Sequence, residues 1–186
     1  IIHTFDTMRK ENMKNALLVI DVQSFFLNEV TGEIPTRIAG FIKNNEDKFD
    51  FILFFKFIND INSNWVKILN WKEMLKPEET RIALGLRKFL KKDNVFVKKA
   101  AFSIFRVEKF KKFVRDRNIS KFYICGLDTH ACVYVSTMEA FERGFDVKVI
   151  EDLCAASHGM SYHQNAIDSI RRNLGKSIII NSKDIS

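Results

Sequence analysis

Three cysteines stand in the chain, at positions 125, 132 and 154, and their surroundings give them different chemistry. Cys125 lies inside the apolar run KFYICG (121–126), where a thiol behaves as a small buried hydrophobe. Cys132 follows six residues after Gly126, within CGLDTHACVYVSTMEAFERG (125–144), where Thr129 is placed to cap the start of a helix. A helix start offers unpaired N–H groups and a positive dipole end. These stabilise a thiolate, lower its pKa, and can hold an oxyanion after attack on a carbonyl. Cys154, in the loop after Asp152, has no such placement and reads as packing. Asp21 closes the run NALLVID (15–21), and Lys98 and Lys99 close NVFVKK (94–99). Each has a plainer role too, since acids at strand ends cap loops and paired lysines are usually solvated. Together, an acid, a lysine and a cysteine supply a base, a cationic partner and a nucleophile, the parts of covalent acyl transfer.

The elements that would position these groups follow from periodicity. Continuous apolar runs at 15–21, 50–58, 94–99, 121–126, 146–152 and 176–181 read as six buried parallel strands. Helical patterns fall between them. One is led by Pro35 with Ile38, Phe41 and Ile42 on one face, and one spans 62–75, followed by a segment led by Pro77. A basic amphipathic helix covers 108–117, and another runs from the Cys132 region to Gly144. The last runs through Arg172, with Ser161 and Gln164 as its capping box. Strands alternating with helices imply a parallel sheet covered on both faces. In such folds ligands bind at the carboxyl ends of the strands, where Asp21, Lys98, Lys99, Cys132 and Asp152 all sit.

Composition bounds the reading. The chain has 186 residues, 46% hydrophobic and 28% charged, the size and balance of one globular domain. That domain is expected over residues 13–186, with 1–12 as an N-terminal leader. The net charge of +7 is dispersed, and its densest cluster fits an amphipathic surface helix, so no nucleic-acid partner is expected. No apolar run is long enough to span a membrane and the start lacks a secretory signal. An odd number of cysteines without regular spacing points to free thiols and a cytoplasmic setting. Strand one leads into DVQSFF, with no glycine-rich phosphate loop, which argues against a nucleotide-binding α/β protein.

The stretches VIDVQSFF, VKKAAFSIF and CGLDTHACVYVSTMEAFERGFDVKVIEDLCAAS resemble the isochorismatase-like cysteine hydrolases, which include nicotinamidases and N-carbamoylsarcosine amidases. The resemblance runs from about residue 15 to about residue 181. It implies an α/β three-layer α/β/α sandwich with a six-stranded parallel sheet in the order 3-2-1-4-5-6. It also implies Asp21 as general base, Cys132 as nucleophile and a lysine partner three residues before an aromatic-Ser-x-Phe unit. Phe102, Ser103, Ile104 and Phe105 supply that unit, which selects Lys99 over Lys98. A cis Leu127–Asp128 bond is implied, aiming the Asp128 N–H, with that of Cys132, into an oxyanion hole. Gln23 matches the family's Asp-x-Gln as a loop-ordering residue beside the pocket.

The departures bear on cofactors. Metal-dependent nicotinamidases carry an Asp-x-His and a further histidine after strand two, whereas FKFINDINSNW holds Asp60 and no histidine. An acid without imidazole partners suits zinc poorly, so no metal and no cofactor are expected. True isochorismatases lack the cysteine, which sets vinyl-ether hydrolysis aside. The pocket is expected to use Gln23, Phe26, Trp65, Phe102, Phe105 and His130. Trp65 and Trp71 have the alternative of packing their helix, and His130 that of an ordinary helix-start polar residue.

The expected activity is metal-independent cleavage of a C–N bond in a small amide, carbamoyl or imide substrate through a thioester, by a homo-oligomer. The alternative is a non-catalytic member of the fold that binds a small ligand. Strands three and four would lie about 14 Å apart, so the backbone after Val97 must bend inwards over the sheet. Lys99, the lysine that the resemblance selects, is expected on the Asp21 carboxylate, lowering its pKa, with Lys98 directed elsewhere.

Overall fold

The structure is a computed structural model that describes residues 13–185. The leader expected over residues 1–12 lies outside the described residues. Six parallel strands form one sheet: β1 (Lys14–Ile20), β2 (Phe51–Ile58), β3 (Val95–Lys99), β4 (Ile119–Gly126), β5 (Asp146–Cys154) and β6 (Ile179–Ile180). Their order is β3-β2-β1-β4-β5-β6, so the direction of winding reverses between β1 and β4. The chain passes through α1 (Ile34–Asn45), α2 (Asn64–Lys67), α3 (Glu108–Asp116), α4 (Tyr134–Glu142) and α5 (Met160–Leu174). Right-handed crossovers place α1 on one face and α3, α4 and α5 on the other. No helix among the described residues is long and apolar enough to cross a membrane.

The alternation of strand side chains builds two cores. On the α1 face, Phe41 meets Phe49, which meets Tyr123 of β4 edge-on. On the α3 face, Phe110 packs against Phe55, Phe96 and Phe122, one ring from each of three strands. The sheet edge at β3 is covered on one side alone: Phe96 and Lys98 are buried while Val97 and Lys99 are exposed.

Three expected elements differ. The helix over 62–75 is reduced to one turn, α2, capped by Ser63, whose Oγ accepts from the Val66 N–H. The Asn59 amide donates to the carbonyls of Trp71 and Glu73, and the rest of the segment is an irregular strap with Asn70 at φ 51° and Met74 at φ 61°. Ser161 and Gln164 form no capping box, because α5 begins two residues earlier, at Met160 behind Gly159, whose φ is 118°. Strand six shrinks to two residues because Lys176–Ile178 takes a 3-10 turn.

Candidate active site

The carboxyl ends of β1, β3 and β4 meet beside the point where winding reverses. Asp21 is the first residue after β1, its backbone at φ 50°, and its carboxyl is completely buried. The approach between β1 and β4 is held by Gly126. A Cβ there would lie 2.1 Å from the Ile20 carbonyl oxygen, so only glycine lets the chain turn beside Asp21.

The lysine on Asp21 is Lys98. Its Nζ lies 2.5 Å from Asp21 Oδ2, with both side chains essentially free of solvent. The expectation of Lys99 is one residue out of register, for a reason of parity. Lys98 shares the covered face of β3 with Phe96, and Lys99 shares the exposed face with Val97. The expected inward bend is present nonetheless. Lys98 Nζ also donates to the carbonyls of Ala101 (3.3 Å) and Phe102 (3.0 Å), so the chain after β3 folds over the sheet end around the ammonium. The Ser103 hydroxyl donates to Glu139 of α4, and the Ile104 N–H donates to Ser136 Oγ, fastening that loop.

Cys132 lies in a π-helical turn, Thr129–Val133, that runs straight into α4. Thr129 does not cap it; its hydroxyl pairs with His163 Nδ1 of α5 at 2.8 Å, and His163 is thereby a buried structural residue. The Leu127–Asp128 bond is cis. The Asp128 carboxylate accepts from the Ser157 N–H (2.8 Å) and hydroxyl (2.6 Å), tying the end of β4 to the loop after β5.

Electrostatics in this corner differ from the sequence expectation. Burial raises the Asp21 pKa, with the Lys98 ammonium opposing; the expected lowering does not occur because desolvation outweighs the ion pair. The Cys132 thiol is pushed up by burial and then by the Asp21 charge, with Lys98 opposing, so the helix start does not make a resting thiolate. Lys98 is raised: burial lowers its pKa, but the charges of Asp21 and Cys132 outweigh that effect. The Cys132 thiol couples to both members of the ion pair. Asp21 Oδ1 is buried and makes no hydrogen bond, leaving an acceptor beside the thiol.

A cavity of about 680 Å³ opens over Asp21 and Cys132. Of the residues expected to line it, Phe26, Trp65, Phe102 and His130 do so, as does Asp128. Gln23 and Phe105 do not. Gln23 is fully buried, its amide bonding the Phe57 N–H and the carbonyls of Phe57 and Thr80, so it ties β1 to β2 as a clamp. Phe105 is buried in the α3 face, stacked on Phe145. The cavity wall adds Phe25, Phe57 and Trp71, so both tryptophans face it, and Trp65 packs edge-on against Phe102 at 5.1 Å.

The Asp-x-His metal arrangement does not fit the segment after β2. Asp60 is exposed, its Oδ1 accepts from the Asn62 N–H at 2.7 Å, and no histidine accompanies it. A different group is present that the sequence reading missed. Asp128, His130 and His158 each offer a ligand atom, all within 4.8 Å of one another. No local spacing announces it, because His158 arrives from the loop after β5.

A family model, the isochorismatase domain, matches residues 15–181. Isochorismatase family protein 2A of Dictyostelium discoideum is 29% identical over 156 residues, covering 83% of this chain and 72% of that protein. Among solved structures, a nicotinamidase from Bacillus subtilis superposes with a TM-score of 0.76 at 18% identity, covering 91% of this chain and all of the other. N-carbamoylsarcosine amidase from Thermoplasma acidophilum gives 0.75 at 19% identity, over 91% and 97% of the two chains.

Proposed function

The chain belongs to the isochorismatase family, and within it we propose that it is a cysteine hydrolase that cleaves a C–N bond in a small amide, carbamoyl or imide substrate. The observation that carries this reading is the fully buried Lys98–Asp21 pair against the thiol of Cys132, on the floor of an aromatic cavity. Asp21, its pKa raised by burial, suits the proton transfers of a general base. The thiol proton passes to Asp21 as the sulfur attacks the substrate carbonyl. Asp21 then returns that proton to the departing nitrogen as the C–N bond breaks, leaving a thioester on Cys132. Water attacks the thioester, giving its proton through Asp21 to the sulfur, and the acid leaves.

Lys98 keeps the buried corner electrically balanced while the proton is on either partner. The backbone N–H groups of Asp128 and Cys132 are the proposed donors to the tetrahedral oxyanion. The aromatic wall of Phe25, Phe26, Phe57, Trp65, Trp71 and Phe102 favours a substrate with a planar or apolar body.

A second reading, ligand binding without turnover, is favoured by the raised thiol pKa, since a resting thiol is a weak nucleophile. One experiment separates the two. A panel of small amides, carbamoyl compounds and imides is screened for ammonia or amine release, with mass spectrometry of the protein after rapid acid quench. Hydrolysis predicts release with an acyl mass on the peptide carrying Cys132, both abolished by Cys132→Ala. Ligands that raise the melting temperature without release or acylation support binding alone.

A further inference from the structure

We propose that Asp128, His130 and His158 form a binding site for one divalent transition-metal ion of the zinc class at the rim of the cavity. The donor set is one carboxylate and two imidazoles, a combination that binds zinc with positions left open. Their ligand atoms lie within 4.8 Å of one another, and all three residues line the same cavity. Ligands bound at about 2.1 Å to one ion stand roughly 3 to 3.4 Å apart, so the group must contract by at most about 1.4 to 1.8 Å. His158 is exposed and can make that movement.

Two features separate this group from chance proximity. The Nδ1 of His130 is buried and has no hydrogen-bond partner, although buried polar atoms are almost always paired. The Asp128 carboxylate is already oriented by the N–H and hydroxyl of Ser157, yet keeps lone pairs to spare. A ligand carboxylate anchored in that way is the usual outer support of a metal site. Tyr162 packs on both imidazoles, at 5.2 and 5.6 Å between ring centroids, and holds them side by side.

The site is assembled by topology: β4 and β5 are neighbours, so the residues after each strand end converge. It goes beyond the hydrolase reading, because the thiol chemistry above uses none of these side chains as ligands. The test therefore needs no substrate. Tag-free protein carrying His3→Gln, which removes the one histidine of residues 1–12, is dialysed against zinc and analysed for metal content. The same is done in a Cys132→Ala background, and cobalt spectra report the ligands.

One equivalent of zinc is expected in both backgrounds, with cobalt bands free of thiolate charge transfer. His158→Ala should weaken binding by at least about tenfold, the lower end of what even an outer-sphere change costs. Because His158 is exposed, that loss cannot be an unfolding effect, and far-UV circular dichroism checks it. Absence of stoichiometric zinc, binding unchanged by His158→Ala, or binding abolished by Cys132→Ala would each overturn the assignment.

Discussion

Replacing Lys98 by methionine keeps the side chain to within one atom of its length and removes its charge from a pair that no solvent reaches. Asp21 is then left as a buried carboxylate whose remaining oxygen already lacks a partner. Breaking a buried pair in this way costs about 3–5 kcal/mol. At roughly 2–4 °C per kcal/mol for a chain of this size, the melting temperature should fall by about 6–20 °C at neutral pH. Asp21 can escape by taking a proton, which gives the loss a pH signature. Its folded pKa is already raised, and without the opposing Lys98 charge it rises further. A raised acid leaves stability intact below its unfolded pKa near 4 and loses it as pH rises through the folded value. The slope reaches at most about 1.4 kcal/mol per pH unit. The gap between Lys98→Met and wild type should therefore close towards pH 4 and widen above it. Thermal melts followed by circular dichroism across pH 4 to 8, with product release at each pH, measure both. Lys99→Ala, on the exposed face of β3, should leave melting and turnover at wild-type values. If Lys99→Ala ends turnover while Lys98→Met retains it, or if Lys98→Met melts like wild type at pH 8, the reasoning fails.

Gly126→Ala should prevent the folded state from forming or lower its melting temperature severely, because the added Cβ meets the backbone of Ile20 at 2.1 Å. A soluble variant with wild-type melting would contradict the close approach of β1 and β4. Limiting iodoacetamide should label Cys132 first, slowly at neutral pH and faster as pH rises. Its thiol pKa is raised, but among the three cysteines it alone lines the cavity. Cys154, buried away from the cavity with its pKa pushed up to about 12, and Cys125, raised by burial, should stay unmodified; peptide mapping that finds either labelled first would refute this.

The parts of the fold that were legible are those in which burial and periodicity agree. Each apolar run is buried on both faces or on the face that a helix covers, so the strands could be read without tertiary information. What could not be read are the places where one distant side chain decides the backbone. The helix expected over 62–75 has the right periodicity, but the Asn59 amide binds the carbonyls of Trp71 and Glu73 beyond α2, in a segment where Asn70 and Met74 take positive φ. The Asp128, His130 and His158 group was illegible for a related reason. It depends on the loop after β5 folding back so that Ser157 binds the Asp128 carboxylate, a contact that neither the strand order nor spacing along the chain announces.

Lys98 is the instructive residue, because strand parity assigns it once the covered face of β3 is known. In NVFVKK the buried Phe96 fixes the parity of the strand, and the residue two places on must share its face. The resemblance instead counted from Phe102 and Ser103 back to Lys99, along a chain that leaves the extended conformation after the strand. Ala100, at φ 42°, breaks the alternation there, so a residue count across it carries no information about side-chain direction. Within the strand the count holds, and it leads to the lysine whose Nζ passes over the Phe57 ring at 5.8 Å to reach Asp21. An edge strand covered on one side sharpens the choice, since a lysine on its open face is solvated at no cost. A lysine on the covered face is retained only if a buried acid meets it. The pairing of Lys98 with Asp21 is thus what the burial pattern of β3 requires.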